Sequence, residues 1–246
     1  MTDLMPERYR VVHNQSMARY LETNRQSISW RSVDFVGLHR AGHEIPVSVS
    51  FSEFEDEGEL RFVGTIRDIE ERWVRERERQ EWLEFFQRIY QLTTNRELTF
   101  EEKLDHLLAA GSEHLNLPYG FLTRIETTNG TEQGTQTITR AYGDHDASEV
   151  GTSCSLSESY CRQTIINDGF LTVPDAVASG WAEDPAYKRF DLGSYIGASV
   201  EVHDELYGTL CFASHTPCRD TFSETEESFV QLVAKWAGYE MERQRL

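Results

Sequence analysis

Lysine is almost missing from this 246-residue chain: Lys103, Lys188 and Lys235 stand alone, and the rest of its 24 basic residues are arginines. Long apolar runs are missing too. No stretch reaches the roughly 18 apolar residues that a membrane helix needs, so no span and no membrane partner are expected. The opening MTDLMPERYR is too polar for a secretory leader, and a cytoplasmic, soluble protein is expected. Four cysteines are present, Cys154, Cys161, Cys211 and Cys218, with six residues between the members of each pair. That is not zinc-ribbon spacing, and thiols stay reduced in cytoplasm. The sequence has no glycine-rich phosphate loop, no histidine-kinase box and no helix-turn-helix.

What is present is acid. The formal net charge is -18, with 42 Asp and Glu residues dispersed along the chain. Nucleic-acid binding needs a positive face and is not expected. A dispersed acidic surface with scarce lysine suits a salt-rich, halophilic cytoplasm, where a Debye length of about 3 Å at 1 M screens self-repulsion.

Residues 6–22 read as a helix, with Pro6 at the first helical position and Tyr9, Val12, Ser16 and Tyr20 along one stripe. Three strands follow. Residues 28–40 alternate, Ile45, Val47, Val49 and Phe51 alternate again, and Leu60, Phe62, Gly64 and Ile66 give the third. Ala41-Gly42-His43 and Asp56-Glu57-Gly58 supply the turns. Gly37-Leu38-His39-Arg40-Ala41-Gly42-His43-Glu44-Ile45-Pro46-Val47 and Phe62-Val63-Gly64-Thr65-Ile66-Arg67-Asp68-Ile69-Glu70-Glu71-Arg72 resemble the closing strands and exit motif of a PAS domain. The resemblance implies a truncated PAS-like segment over residues 1–72, without the leading strands and helices that wall a ligand cavity. One helix and three antiparallel strands bury a sheet face only if a partner chain or the next helix covers it.

Residues 68–94 read as a long helix, and 73–94 as a connector. Ile69, Glu76, Leu83 and Tyr90 fall seven apart, as do Arg72, Arg79, Phe86 and Thr93. Its first half, ERWVRERERQEW, is charged on nearly every side. That favours a solvated connector over a self-sufficient coiled coil. The PAS resemblance implies a signalling helix that pairs with its own copy in a homodimer.

Beyond residue 95, Thr99 and Glu102 form a capping box before Leu104, Leu107, Leu108 and Leu115. Tyr119 to Glu126 and Gln136 to Tyr142 read as strands about an Asn129-Gly130 turn. A short helix over 156–167, a strand over 169–173 and a loop and short-helix region over 174–191 follow. Residues 195–213, YIGASVEVHDELYGTLCFA, read as a hairpin about His203-Asp204-Glu205. Ser223 and Glu226 then cap a helix carrying Phe229, Leu232, Val233 and Trp236. This ending, above all Leu206-Tyr207-Gly208-Thr209-Leu210-Cys211-Phe212, resembles a GAF domain, as do Ser155-Leu156-Ser157-Glu158-Ser159-Tyr160-Cys161-Arg162 and Gly180-Trp181-Ala182-Glu183-Asp184-Pro185-Ala186-Tyr187. The expected fold is therefore α+β, an antiparallel-sheet GAF domain over 95–246 behind the connector helix and the partial PAS-like sheet.

The resemblance implies a sensory or regulatory protein without catalysis, holding an unknown small molecule and reporting to a separate output protein. Phe121, Tyr160, Cys161, Trp181, Tyr187, Phe190 and Tyr195 are the candidate pocket. Aromatic walls with few polar groups suit small molecules, although the same rings can simply fill a core. Ser157 is expected to cap the 156–167 helix, with Glu158 in its first turn. No cofactor is specified: no anion site for a cyclic nucleotide is evident, and Cys154 and Cys161 suit tetrapyrrole attachment by residue type only. Two rival readings stand beside this one. The first is a thiol-based reductase using Cys154 and Cys161, since one thiol must resolve the other's sulfenic acid. The second is a purely structural dimerisation module, or a fragment of a sensor kinase or transcription regulator. Cys211 reads as a small buried core residue, and Cys211, His215 and Cys218 lack a fourth ligand for a metal.

Overall fold

The computed structural model describes residues 2–25, 29–127, 134–144, 149–218 and 221–244. The expected Asn129-Gly130 turn lies outside the described residues. The chain divides into two compact units, residues 1–87 and 88–246.

The first unit opens with α1 (Glu7–Thr23), then an antiparallel sheet of β1 (Val33–Leu38), β2 (Glu44–Asp56) and β3 (Glu59–Asp68), in that order. Pro6 stands one position earlier than expected, at the N-cap with extended backbone (ψ 145°), where its missing N–H costs nothing. The β2–β3 turn puts Glu57 (φ 52°) and Gly58 (φ 82°) in the left-handed region, the geometry that matches strand twist in a two-residue hairpin. Val47 and Val49 alternate onto one buried face, while Ser48 between them bonds the Ser32 hydroxyl at 2.8 Å. Tyr20 of α1 is buried beside Trp30 and Phe62, with ring centroids 5.0 and 6.0 Å away, and its hydroxyl donates to Glu53 at 2.6 Å. The division between units falls inside α2 (Glu70–Thr94), within the expected connector. Trp73, Trp82, Leu83 and Tyr90 are exposed on it.

The second unit continues with α3 (Phe100–Leu115), β4 (Tyr119–Thr127), β5 (Gly134–Tyr142), β6 (Ser153–Ser155), α4 (Tyr160–Ile166), β7 (Phe170–Val173), α5 (Pro185–Phe190), β8 (Ser194–Val202), β9 (Glu205–Ser214) and α6 (Glu224–Gln244). Six antiparallel strands pair in the order β6-β5-β4-β9-β8-β7. Both capping boxes form: Glu102 N–H donates to the Thr99 hydroxyl at 3.2 Å, and Glu226 N–H to that of Ser223 at 3.3 Å. The β8–β9 hairpin turns on His203 (φ 55°) and Asp204 (φ 61°).

The sheet separates two interiors because successive side chains point to opposite faces. Phe212 of β9 lies under α3 and α6. A Cβ on Gly111 of α3 would come within 2.4 Å of its ring, and Phe229 of α6 sits 6.1 Å from it, centroid to centroid. Leu104, Leu107, Leu108, Phe229, Val230 and Val233 complete that dry layer. Its neighbours Cys211 and Ala213 face the other way, into a cavity.

Candidate functional site

The cavity lies on the face of the sheet away from α3 and α6. Strand alternation delivers its floor: Phe121 and Thr123 from β4, Gln136 and Ile138 from β5, Tyr195 from β8, Cys211 and Ala213 from β9. Ser159, Tyr160, Cys161, Phe190 and Leu192 close it from above. Of the seven residues expected to form a pocket, Phe121, Tyr160, Cys161, Phe190 and Tyr195 line it. Trp181 and Tyr187 pack behind that wall.

The cover is built differently from the sequence expectation. The 156–167 segment is a 3-10 turn over Leu156–Glu158 followed by the shorter α4, and Ser157 does not cap it; its hydroxyl bonds that of Ser155 at 2.7 Å. Glu158 instead pairs with Arg189 of α5. Asp184 caps α5 by accepting from Ala186 N–H at 2.9 Å, and its second oxygen accepts from Arg162 of α4 at 2.8 Å. That ion pair is only 16% and 20% exposed. Removing either partner would leave the other buried and unpaired, a loss of about 3–5 kcal/mol that couples α4 to α5. Trp181, Tyr160 and Tyr195 form a three-ring stack with 5.0 Å between successive centroids. The Tyr160 hydroxyl donates to Leu192 carbonyl at 2.7 Å.

The rings fill most of the space. About 40 Å³ remains, room for two or three water-sized atoms, against roughly 300–1,000 Å³ for an ordinary ligand pocket. The remnant is bordered mainly by apolar atoms, and one lining residue is unmatched: Gln136 is 7% exposed, and its Oε1 has no hydrogen-bond partner among the described residues. Leaving such a group dry costs about 1–3 kcal/mol.

The other polar feature is sulfur. Cys161 is 3% exposed, and two hydroxyls donate to its Sγ, that of Thr209 at 2.8 Å and that of Tyr195 at 3.9 Å. Cys211 borders the same space. Thr123 and Thr209 are themselves joined at 2.8 Å across β4 and β9. The neighbouring Cys211 thiol first, then the Thr209, Tyr195 and Thr123 hydroxyls, hold the Cys161 thiol below its usual pKa, although burial opposes them. Donating to Cys161, and burial, push Cys211 well up. Burial raises Cys154 to about 11. The structure thus places Cys161 against Cys211, whereas Cys154 lies in β6 opposite Gln136. Gly197 makes the arrangement possible. A Cβ there would lie 2.3 Å from the Tyr195 hydroxyl and 2.9 Å from Cys211 Cβ.

Sequence reasoning missed Thr123, Gln136, Thr209 and the role of Cys211. A signal was present in Thr209-Leu210-Cys211, whose alternation puts hydroxyl and thiol on one face. Among the described residues no group of three His, Cys, Asp or Glu side chains is placed to hold a metal ion, and no helix is long and apolar enough to cross a membrane.

No curated protein matches this chain. Among solved structures it is similar to the free methionine-R-sulfoxide reductase of Neisseria meningitidis in complex with its substrate, at 16% identity and TM-score 0.50, over 67% of this chain and 92% of that one. It is also similar to the GAF domain of a phosphoenolpyruvate-protein phosphotransferase from Coxiella burnetii, at 17% identity and TM-score 0.50, over 67% of this chain and 94% of that one. Likeness at this identity is likeness of fold. The GAF domain model matches residues 99–241, well over half of the sequence, and the chain belongs to the GAF domain family.

Proposed function

We propose that this is a sensory or regulatory protein whose GAF interior receives a small polar guest and which performs no turnover of its own. The observation that carries this is the unsatisfied Gln136 Oε1 beside residual space in an otherwise filled interior. A guest that donates a hydrogen bond to Gln136 removes that cost, and the state it prefers gains population by its differential affinity. A larger guest has to displace the ring stack and α5 together. The N-terminal helix and sheet are read as a PAS-like segment. The acidic, lysine-poor surface is read as adaptation to a halophilic cytoplasm. The exposed Trp82, Leu83 and Tyr90 of α2 are read as the seam of a homodimer, and the signal passes to a separate output protein.

Thermal unfolding in molar potassium chloride, with formamide, hydroxylamine or hydrogen peroxide added singly, tests the guest. At least one should raise the melting temperature of the native chain and leave Gln136→Leu unmoved. No response, or an equal response in both, sinks the reading. Native mass spectrometry of the same preparation should give a dimer; a monomer removes the α2 pairing.

A further inference from the structure

We propose that Cys161 and Cys211 are an oxidant-responsive dithiol, and that the guest of the cavity is a hydroperoxide no larger than hydrogen peroxide. This rests on reading the cavity as the receptor site and names the guest's chemistry. Three observations converge. Both cysteines line the cavity. Thr209, two residues from Cys211 on the same face of β9, donates to Cys161 sulfur at 2.8 Å, so both thiols border one small space and a disulfide needs their approach to ~2 Å. The remaining space is of peroxide size, and Gln136, whose buried Oε1 has no partner among the described residues, lines it; the O–H of a hydroperoxide supplies the missing donor once that oxygen turns toward it.

The chemistry balances. Cys161 sulfur attacks the near oxygen of the peroxide, the O–O bond breaks, and the departing hydroxide takes the proton Cys161 gave up, leaving as water. Cys161 is now a sulfenic acid, oxidised by two electrons, and the peroxide has been reduced. Cys211 sulfur then attacks the sulfenic sulfur. Its own proton leaves with the hydroxyl as a second water, and the disulfide closes. Two thiols and one hydrogen peroxide give one disulfide and two waters. Thr209 and Tyr195 donate to Cys161 before the attack and stabilise it as thiolate, the reactive form. The burial that raises the Cys154 pKa to about 11 keeps that thiol protonated and a poor competitor.

The test is peptide mass mapping of the reduced full-length chain after native treatment with hydrogen peroxide, without reductant. The peptides carrying Cys161 and Cys211 should appear joined, lighter by two hydrogens. In Cys211→Ser, dimedone should label Cys161. Thr209→Val should slow the oxidation about tenfold, the effect of raising the thiol by about one pKa unit. Near-UV circular dichroism checks that both variants fold; if either does not, mapping of the native chain decides. An unmodified Cys161, or a link from Cys161 to Cys154, overturns the proposal. A melting response to formamide with an inert Cys161 removes the dithiol and leaves the receptor reading standing. Inertness to all three probes removes both.

Discussion

β2 and β3, in residues 1–87, pair over ten residues, longer than any strand pair among the described residues of 88–246. Yet Phe54, Leu60, Val63 and Ile66 stay exposed on them, at 41–49% of their full surface. The β8–β9 pair is shorter, and Ile196, Val200, Leu210 and Phe212 there are wholly buried. Both hairpins use left-handed turns and alternating strands, so strand quality does not separate them. Layers do. A sheet acquires an interior when something rests on each face. The six-stranded sheet has α3 and α6 on one side and α4 with α5 on the other, whereas β1–β3 have α1 and the Tyr20, Trp30 and Phe62 cluster. The cavity described above lies in the two-sided sheet.

That contrast is broken most forcefully by Phe229→Ala. It opens a void under Phe212 and should cost about 3–5 kcal/mol. Phe54→Ser, an exposed position in the other unit, should stay within about 0.5 kcal/mol. Denaturant titration of the two variants checks both, and equal losses would refute the difference in layering. A middle-sized effect is expected at Gly197→Ala. The added methyl meets the Tyr195 hydroxyl and Cys211, and such overpacking costs about 1–3 kcal/mol. Because it displaces the phenol from Cys161, iodoacetamide labelling of Cys161 should change along with the melting temperature. The smallest effect concerns acid. His114 on α3 is held below its usual pKa, first by burial against Phe229, while the charge of Glu226 opposes the shift. The unfolded chain therefore binds the proton more readily, and stability is lost as pH falls below the unfolded value of about 6.5. His114→Phe should flatten that part of a melting-temperature profile between neutral and mildly acidic pH.

Much of this was legible beforehand. Ser223 with Glu226 and Thr99 with Glu102 announce helix starts because the pattern is local. The hairpin at His203 is local as well. The aromatic wall was legible by composition, since Tyr160, Phe190 and Tyr195 have few other uses in an antiparallel shell. The sulfur site was not. Thr123 and Thr209 meet across 86 positions, and Thr209 reaches Cys161 across 48. Those encounters follow from β9 lying beside β4, a pairing that no stretch of sequence announces. The split of the 156–167 segment escaped because Ser155, Ser157 and Ser159 all suit a helix start, and tertiary packing chose the last.

Phe212 and Cys211 are bonded neighbours that look out on different rooms. The partition between them is a single strand of backbone, with no padding in which a displacement could be absorbed. Should the sulfur side tighten by an ångström or two, the phenyl on the far side must follow, and the long terminal helix rests on that phenyl. The chain thus has, at one peptide unit, the shortest possible lever between a hidden chemical event and a surface another molecule can read.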